Sequence, residues 1–140
     1  ITRELNMSRI IDVHAHLIAP ELVKTIRRDG ARYGIEVGGN DKQPTVKLAG
    51  SSLTKPLPLP LTRIDERAAT MKGQGVDVQV LSSWIDFSGY TMPPGAAAAF
   101  SDLQNETIAA VAKSAPQRYV GAATVPLQRA PTVWATPPVV

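Results

Sequence analysis

The stretch Val76-Asp77-Val78-Gln79-Val80-Leu81-Ser82 constrains the fold most. It is β-branched and alternating, the pattern of a strand, and helical periods flank it on both sides. Upstream, Ile64, Ala68 and Met71 form one apolar stripe; Thr62 with Asp65 approximates a capping box, and Gly73 and Gly75 mark the end. Downstream, past a loop from Ser83 to Pro94, a long helix is predicted over about 95–114. Phe100, Leu103, Ala110 and Val111 fall on one side of it, and Asp102, Asn105, Glu106 and Lys113 on the other. Pro116 ends that helix, and Tyr119 to Val125 reads as another strand, stopped by Pro126. Residues 9–17 read as a first strand, buried on both faces at its apolar centre. A helix then opens at Pro20, with Leu22, Val23 and Ile26 apolar and Gly30 or Gly34 to stop it. The order is strand–helix–strand–helix–strand, with connections long enough for parallel βαβ units. The fold class is α/β.

At 140 residues the chain fits one domain. Without cysteine it has neither disulfides nor thiolate metal sites, which fits a reducing, cytoplasmic location. No apolar run approaches a membrane span, and the N-terminus lacks the basic and apolar regions of a secretory signal. The net charge of +3 is modest and Arg27-Arg28 is the only tight basic pair, so neither nucleic acid nor membrane is expected as a partner. Residues 35–61 carry no helical period. Gly38-Gly39-Asn40-Asp41 signals a turn, Thr45 to Leu48 a short strand, and Lys55 to Pro60 is proline-rich. That segment is expected to be an insertion, a lid or a linker.

The first strand carries the chemistry. In Asp12-Val13-His14-Ala15-His16 the only two histidines of the chain stand at i and i+2, which on a strand places both on one side, roughly 7 Å apart. Two imidazoles so placed can bend toward one metal ion. Asp12 is expected on the same side, one pleat deeper, where its carboxylate would orient a ligand or a water. The competing reading is an exposed strand end with two incidental histidines. Parallel α/β sheets hold their sites beyond the C-terminal strand ends, and His14, His16, Trp84 and Gln128 all fall there.

Taken together, Ile11 to His16, Gly75 to Ser82, Pro116 to Gly121 and Val125 to Gln128 resemble the amidohydrolase-related metal-dependent decarboxylases. Within that family they resemble the aminocarboxymuconate-semialdehyde decarboxylases and their relatives, and the likeness runs from about residue 9 to 128. The resemblance implies the N-terminal strand–helix repeats of a (β/α)8 TIM-type barrel, truncated after about three strands. It also implies one divalent metal, zinc or manganese, with His14 and His16 as two of its ligands. The remaining ligands of such a family, a further histidine and a late aspartate, have no counterpart here. The implied substrate is a small aromatic or muconate-type carboxylate that loses CO2. A related hydrolase or hydratase is the alternative, and a non-catalytic α/β fragment, inactive by itself or working as a homo-oligomer, a third.

Lesser candidates sit around this motif. Trp84, with Phe87 and Tyr90, would wall an aromatic pocket or pack on the scaffold. Lys55 would meet a substrate carboxylate or remain solvated. Asp86 would be a turn residue before it would be a third ligand, and Gln128 would line the site or satisfy backbone groups. Residues 1–8 read as an extension, with Met7-Ser8-Arg9 resembling a natural start. Residues 129–140 read as a divergent tail whose three prolines oppose a helix.

Overall fold

The computed structural model describes residues 8–129; the tail at 130–140 and most of the N-terminal extension lie outside them. Strand β1 (Ile11–Leu17) leads through helix α1 (Pro20–Asp29) to a small antiparallel sheet of β2 (Ile35–Gly39), β3 (Pro44–Leu48) and β4 (Lys55–Pro56). Helix α2 (Ile64–Gln74), β5 (Val78–Ser83), helix α3 (Pro94–Ser114) and β6 (Tyr119–Gly121) follow. The larger sheet has the order β1-β5-β6 and both of its pairings are parallel, as the alternating elements predict.

Local chemistry explains the helices. Pro20 occupies the first turn of α1, where its missing N–H costs nothing, and Leu22 and Ile26, one turn apart, are buried. Gly34 then takes a left-handed conformation (φ 68°) and turns the chain back into β2. On α3 the buried positions Ala97, Phe100, Ser101, Gln104, Thr107 and Ile108 recur at helical spacing. The predicted face is rotated at two places, since Ala110 is exposed and Gln104 is buried. Gln104 Nε2 donates to the carbonyls of Phe87 and Phe100, at 3.2 and 3.4 Å, whereas its Oε1 has no partner among the described residues.

Three further expectations are corrected. Thr62 does not cap α2: the cap position is Arg63, and the Thr62 hydroxyl donates backward to Leu59 O at 2.8 Å, closing the short 3-10 turn Leu59–Thr62. The third strand of the parallel sheet stops at Gly121 rather than Val125, and Asn105 holds the segment beyond it through Thr124 N and O, at 2.8 and 2.9 Å. The apolar start of β1 is not buried on both faces, because Ile11 and Val13 are 54% and 75% exposed.

Residues 35–61 form a built-in layer instead of a linker. Ile35, Val46, Leu48 and Leu57 belong to the same core cluster as Leu17, Ile26, Phe87 and Phe100. Gly50 (φ 78°) lies so close to Thr91 that a Cβ there would run into its carbonyl oxygen. The small sheet is thereby docked on the loop that leaves β5.

Candidate metal centre

His14 and His16 stand toward the C-terminal end of β1, beside a shift in its register. Ile11 and Asp12 pair with Val78 and Gln79, whereas Ala15, His16 and Leu17 pair with Leu81, Ser82 and Ser83. One extra residue is therefore accommodated between Asp12 and Ala15, which shifts the strand's alternation by one. Asp12 consequently shares a face with Gln79, Leu81 and Ala15, opposite to that of His16 and Ser82. The expectation that Asp12 lies on the histidines' side is overturned by this bulge, since strict alternation no longer holds across it.

The imidazoles converge. Their ring centroids are 4.9 Å apart with planes at 84°, and the two Nε2 atoms are 3.1 Å from each other. Two nitrogens bound to one zinc, each at about 2.0–2.1 Å, stand roughly 3.3 Å apart at the tetrahedral angle. The separation is that of a hydrogen bond between the two rings, and it is also close to what two ligands on one ion require. His16 is also oriented from behind: its Nδ1 faces the carbonyl of Ser83 at 2.9 Å and the hydroxyl of Ser82 at 3.2 Å. A carbonyl only accepts, so this contact calls for the proton on Nδ1, which in the neutral ring leaves the lone pair on Nε2. A backbone carbonyl holding the far nitrogen is how metal-ligating histidines are commonly fixed. His14 is exposed and His16 half-buried.

The remaining candidates fall elsewhere. Among the described residues no group of three His, Cys, Asp or Glu side chains could together hold a metal. Asp86 lies in the short turn Ile85–Phe87 and pairs with Lys55. Their ion pair borders a groove of about 310 Å3 whose walls include Val46, Leu48, Leu53 and Tyr90. Trp84 directly follows Ser83, the residue that holds His16. Its indole packs edge-on against Phe87 at 5.0 Å, and Phe87 packs on Phe100 at 5.2 Å. Gln128 donates from Nε2 to the carbonyls of Gly89 and Met92, at 2.6 and 3.3 Å, and so satisfies the loop leaving β5.

Two residues with a structural hold on the histidines escaped the sequence reading. Arg67 of α2 donates to the carbonyl of His16 at 2.7 Å and to Gln79 Oε1 at 3.0 Å. Gln79 in turn donates from Nε2 to Asp12 Oδ2 at 3.0 Å. Burial pulls the Arg67 guanidinium below its ordinary pKa, opposed by Tyr119 and Asp12. The only signal in the sequence is a glutamine set between Val78 and Val80 in β5.

No protein-family model matches the sequence, and no curated protein matches it either. Solved structures do. The 5-carboxyvanillate decarboxylase LigW from Sphingomonas paucimobilis superposes with a TM-score of 0.57 at 19% identity, over 86% of this chain and 36% of that one. A candidate amidohydrolase from Staphylococcus aureus superposes with a TM-score of 0.50 at 21% identity, over 85% of this chain and 29% of that one. The chain therefore spans about a third of the length of these proteins. What it shares with them is the fold, a mixed α/β arrangement built on a parallel sheet.

Proposed function

We propose that the chain is part of a metal-dependent carboxy-lyase of the amidohydrolase type, one that removes CO2 from an aromatic or muconate-type carboxylate. The observation that carries this reading is the 3.1 Å convergence of His14 and His16 Nε2 at the C-terminal end of a parallel strand. The fold shared with a carboxyvanillate decarboxylase supports the reaction class.

His14 and His16 would hold a divalent ion, zinc by preference for two imidazoles, with manganese as the other candidate. Such an ion supplies Lewis acidity and a template for the carboxylate and its neighbouring oxygen. The chain's own contribution is positional. Ser83 O fixes the tautomer and ring plane of His16, so that its lone pair is aimed before anything binds. The Trp84 indole, anchored on Phe87, offers an apolar wall next in sequence to that hold. Lys55 is the cation proposed to meet a substrate carboxylate, for which it would have to exchange its partner Asp86.

Catalytic sites of this kind ordinarily use about three protein ligands, and the described residues provide two imidazoles. The isolated chain is accordingly expected to bind zinc weakly, and to turn over an aromatic carboxylate no faster than a His14→Ala/His16→Ala control. Calorimetric titration of the chain and the control with zinc tests the site. Equal affinity in the two would sink the metal reading, and turnover above the control would overturn the expected inactivity.

A further inference from the structure

The bulge in β1 has a cost that the neighbouring side chains meet. An inserted residue leaves backbone groups outside the sheet ladder, and here the N–H of His14 donates to the side chain of its own strand, Asp12 Oδ1, at 3.0 Å. The other oxygen of that carboxylate accepts from Gln79 Nε2, and Gln79 Oε1 accepts from Arg67, whose second Nη donates to His16 O. A closed run of bonds thus starts at the backbone of His14, passes through β5 and α2, and returns to the backbone of His16.

We infer that Asp12, Gln79 and Arg67 form a latch that holds the β1 bulge and thereby sets the spacing of the two imidazoles. The role of the latch in metal affinity rests on the reading given above; its role in holding the bulge does not. The polarity of the run is fixed at both ends. Arg67 only donates and an ionised Asp12 only accepts, so the Gln79 amide has one permitted orientation. Gln79 is 8% exposed, so a wrong orientation there leaves a polar group facing its like without water to relieve it. These are positioning residues; none of them needs to touch the metal.

Fixed polarity gives a sharp test. Asp12→Asn leaves one accepting oxygen where the carboxylate had two, so either the His14 N–H or the Gln79 amide then faces a donor. Gln79→Glu sets two carboxylates face to face. The double variant Asp12→Asn/Gln79→Glu restores every bond with the polarity of one link reversed: the new amide donates to the new carboxylate, which still accepts from Arg67. The readout is amide hydrogen exchange at His14 in the metal-free full chain, followed by NMR, with zinc affinity measured alongside. Each single variant is expected to speed His14 exchange roughly tenfold, as for one charged hydrogen bond lost. Each is also expected to weaken zinc binding about 10- to 100-fold, as for a lost ligand support. The double variant should return exchange to within about threefold of the unaltered chain.

Gln79→Glu separates this from a plain charge effect, because an added negative charge near the site would tighten zinc rather than weaken it. Singles with unchanged exchange, a double that exchanges as fast as the singles, or a double that fails to fold while the unaltered chain folds, would each overturn the latch. If the unaltered chain binds zinc no better than His14→Ala/His16→Ala, the metal reading fails while the exchange comparison still decides the latch.

Discussion

At the residue scale, the two histidines are unequal partners. His16 is half-buried and bonded from behind by Ser83 O and Ser82, while His14 is exposed and, among the described residues, has only His16 as a partner for its ring nitrogens. Removing His16 should therefore cost more than removing His14. Zinc titrations are expected to show no measurable binding for His16→Ala and a residual weak affinity for His14→Ala; the reverse order would contradict the pre-orientation of His16. Ser82→Ala removes the longer of the two contacts to Nδ1 and leaves the 2.9 Å carbonyl bond intact. It is expected to change zinc affinity by less than about threefold, the range of a weak, partly solvated hydrogen bond. The histidine pair itself was legible from the i, i+2 spacing. The face occupied by Asp12 was not, because an extra residue in one strand is seen only against the strand it pairs with.

At the scale of elements, the small sheet over residues 35–61 shows what a short-range reading captures and omits. The glycine-rich turn and the strand after it were visible, and Gly39 and Pro44 do close a hairpin by pairing across it. That the hairpin and β4 would pack into the main core depends on Ile35, Val46, Leu48 and Leu57 joining the cluster that also holds buried residues of α1 and α3, a long-range association that no local pattern announces. Its docking at Gly50 is sterically tight. Gly50→Ala combines a left-handed backbone with a clash on Thr91 O and is expected to lower stability by about 2 kcal/mol; denaturant unfolding checks it. The Lys55–Asp86 pair crosses from this sheet to the β5 loop, yet its side chains are 41% and 30% exposed. Lys55→Met should cost under about 1 kcal/mol, as partly exposed ion pairs do. Any larger effect of that substitution on activity in a complete enzyme would then report on substrate rather than on folding.

At the scale of the whole molecule, β1 and β6 are the outer strands of the parallel sheet among the described residues. Ile11, Val13 and Val120 show exposed apolar side chains along them. Open edges with apolar neighbours favour pairing between chains. The chain is expected to associate with rising concentration, and Val13→Lys/Val120→Lys to shift it toward monomer in sedimentation experiments without lowering its unfolding midpoint. No helix among the described residues is long and apolar enough to cross a membrane.

The sequence by itself determined the alternation of strands and helices and the presence of two imidazoles on one strand end, because periodicity and spacing are local properties. Tertiary structure alone decided three things. It wound α3 so that Gln104, with its bond to Phe87, faces inward. It folded residues 35–61 into the core. It placed a bulge between Asp12 and Ala15 that turned Asp12 away from the His16 face and into contact with Gln79. Each depends on hydrogen-bond partners or apolar contacts far away in sequence, and the energy of such contacts exists only once the elements have come together.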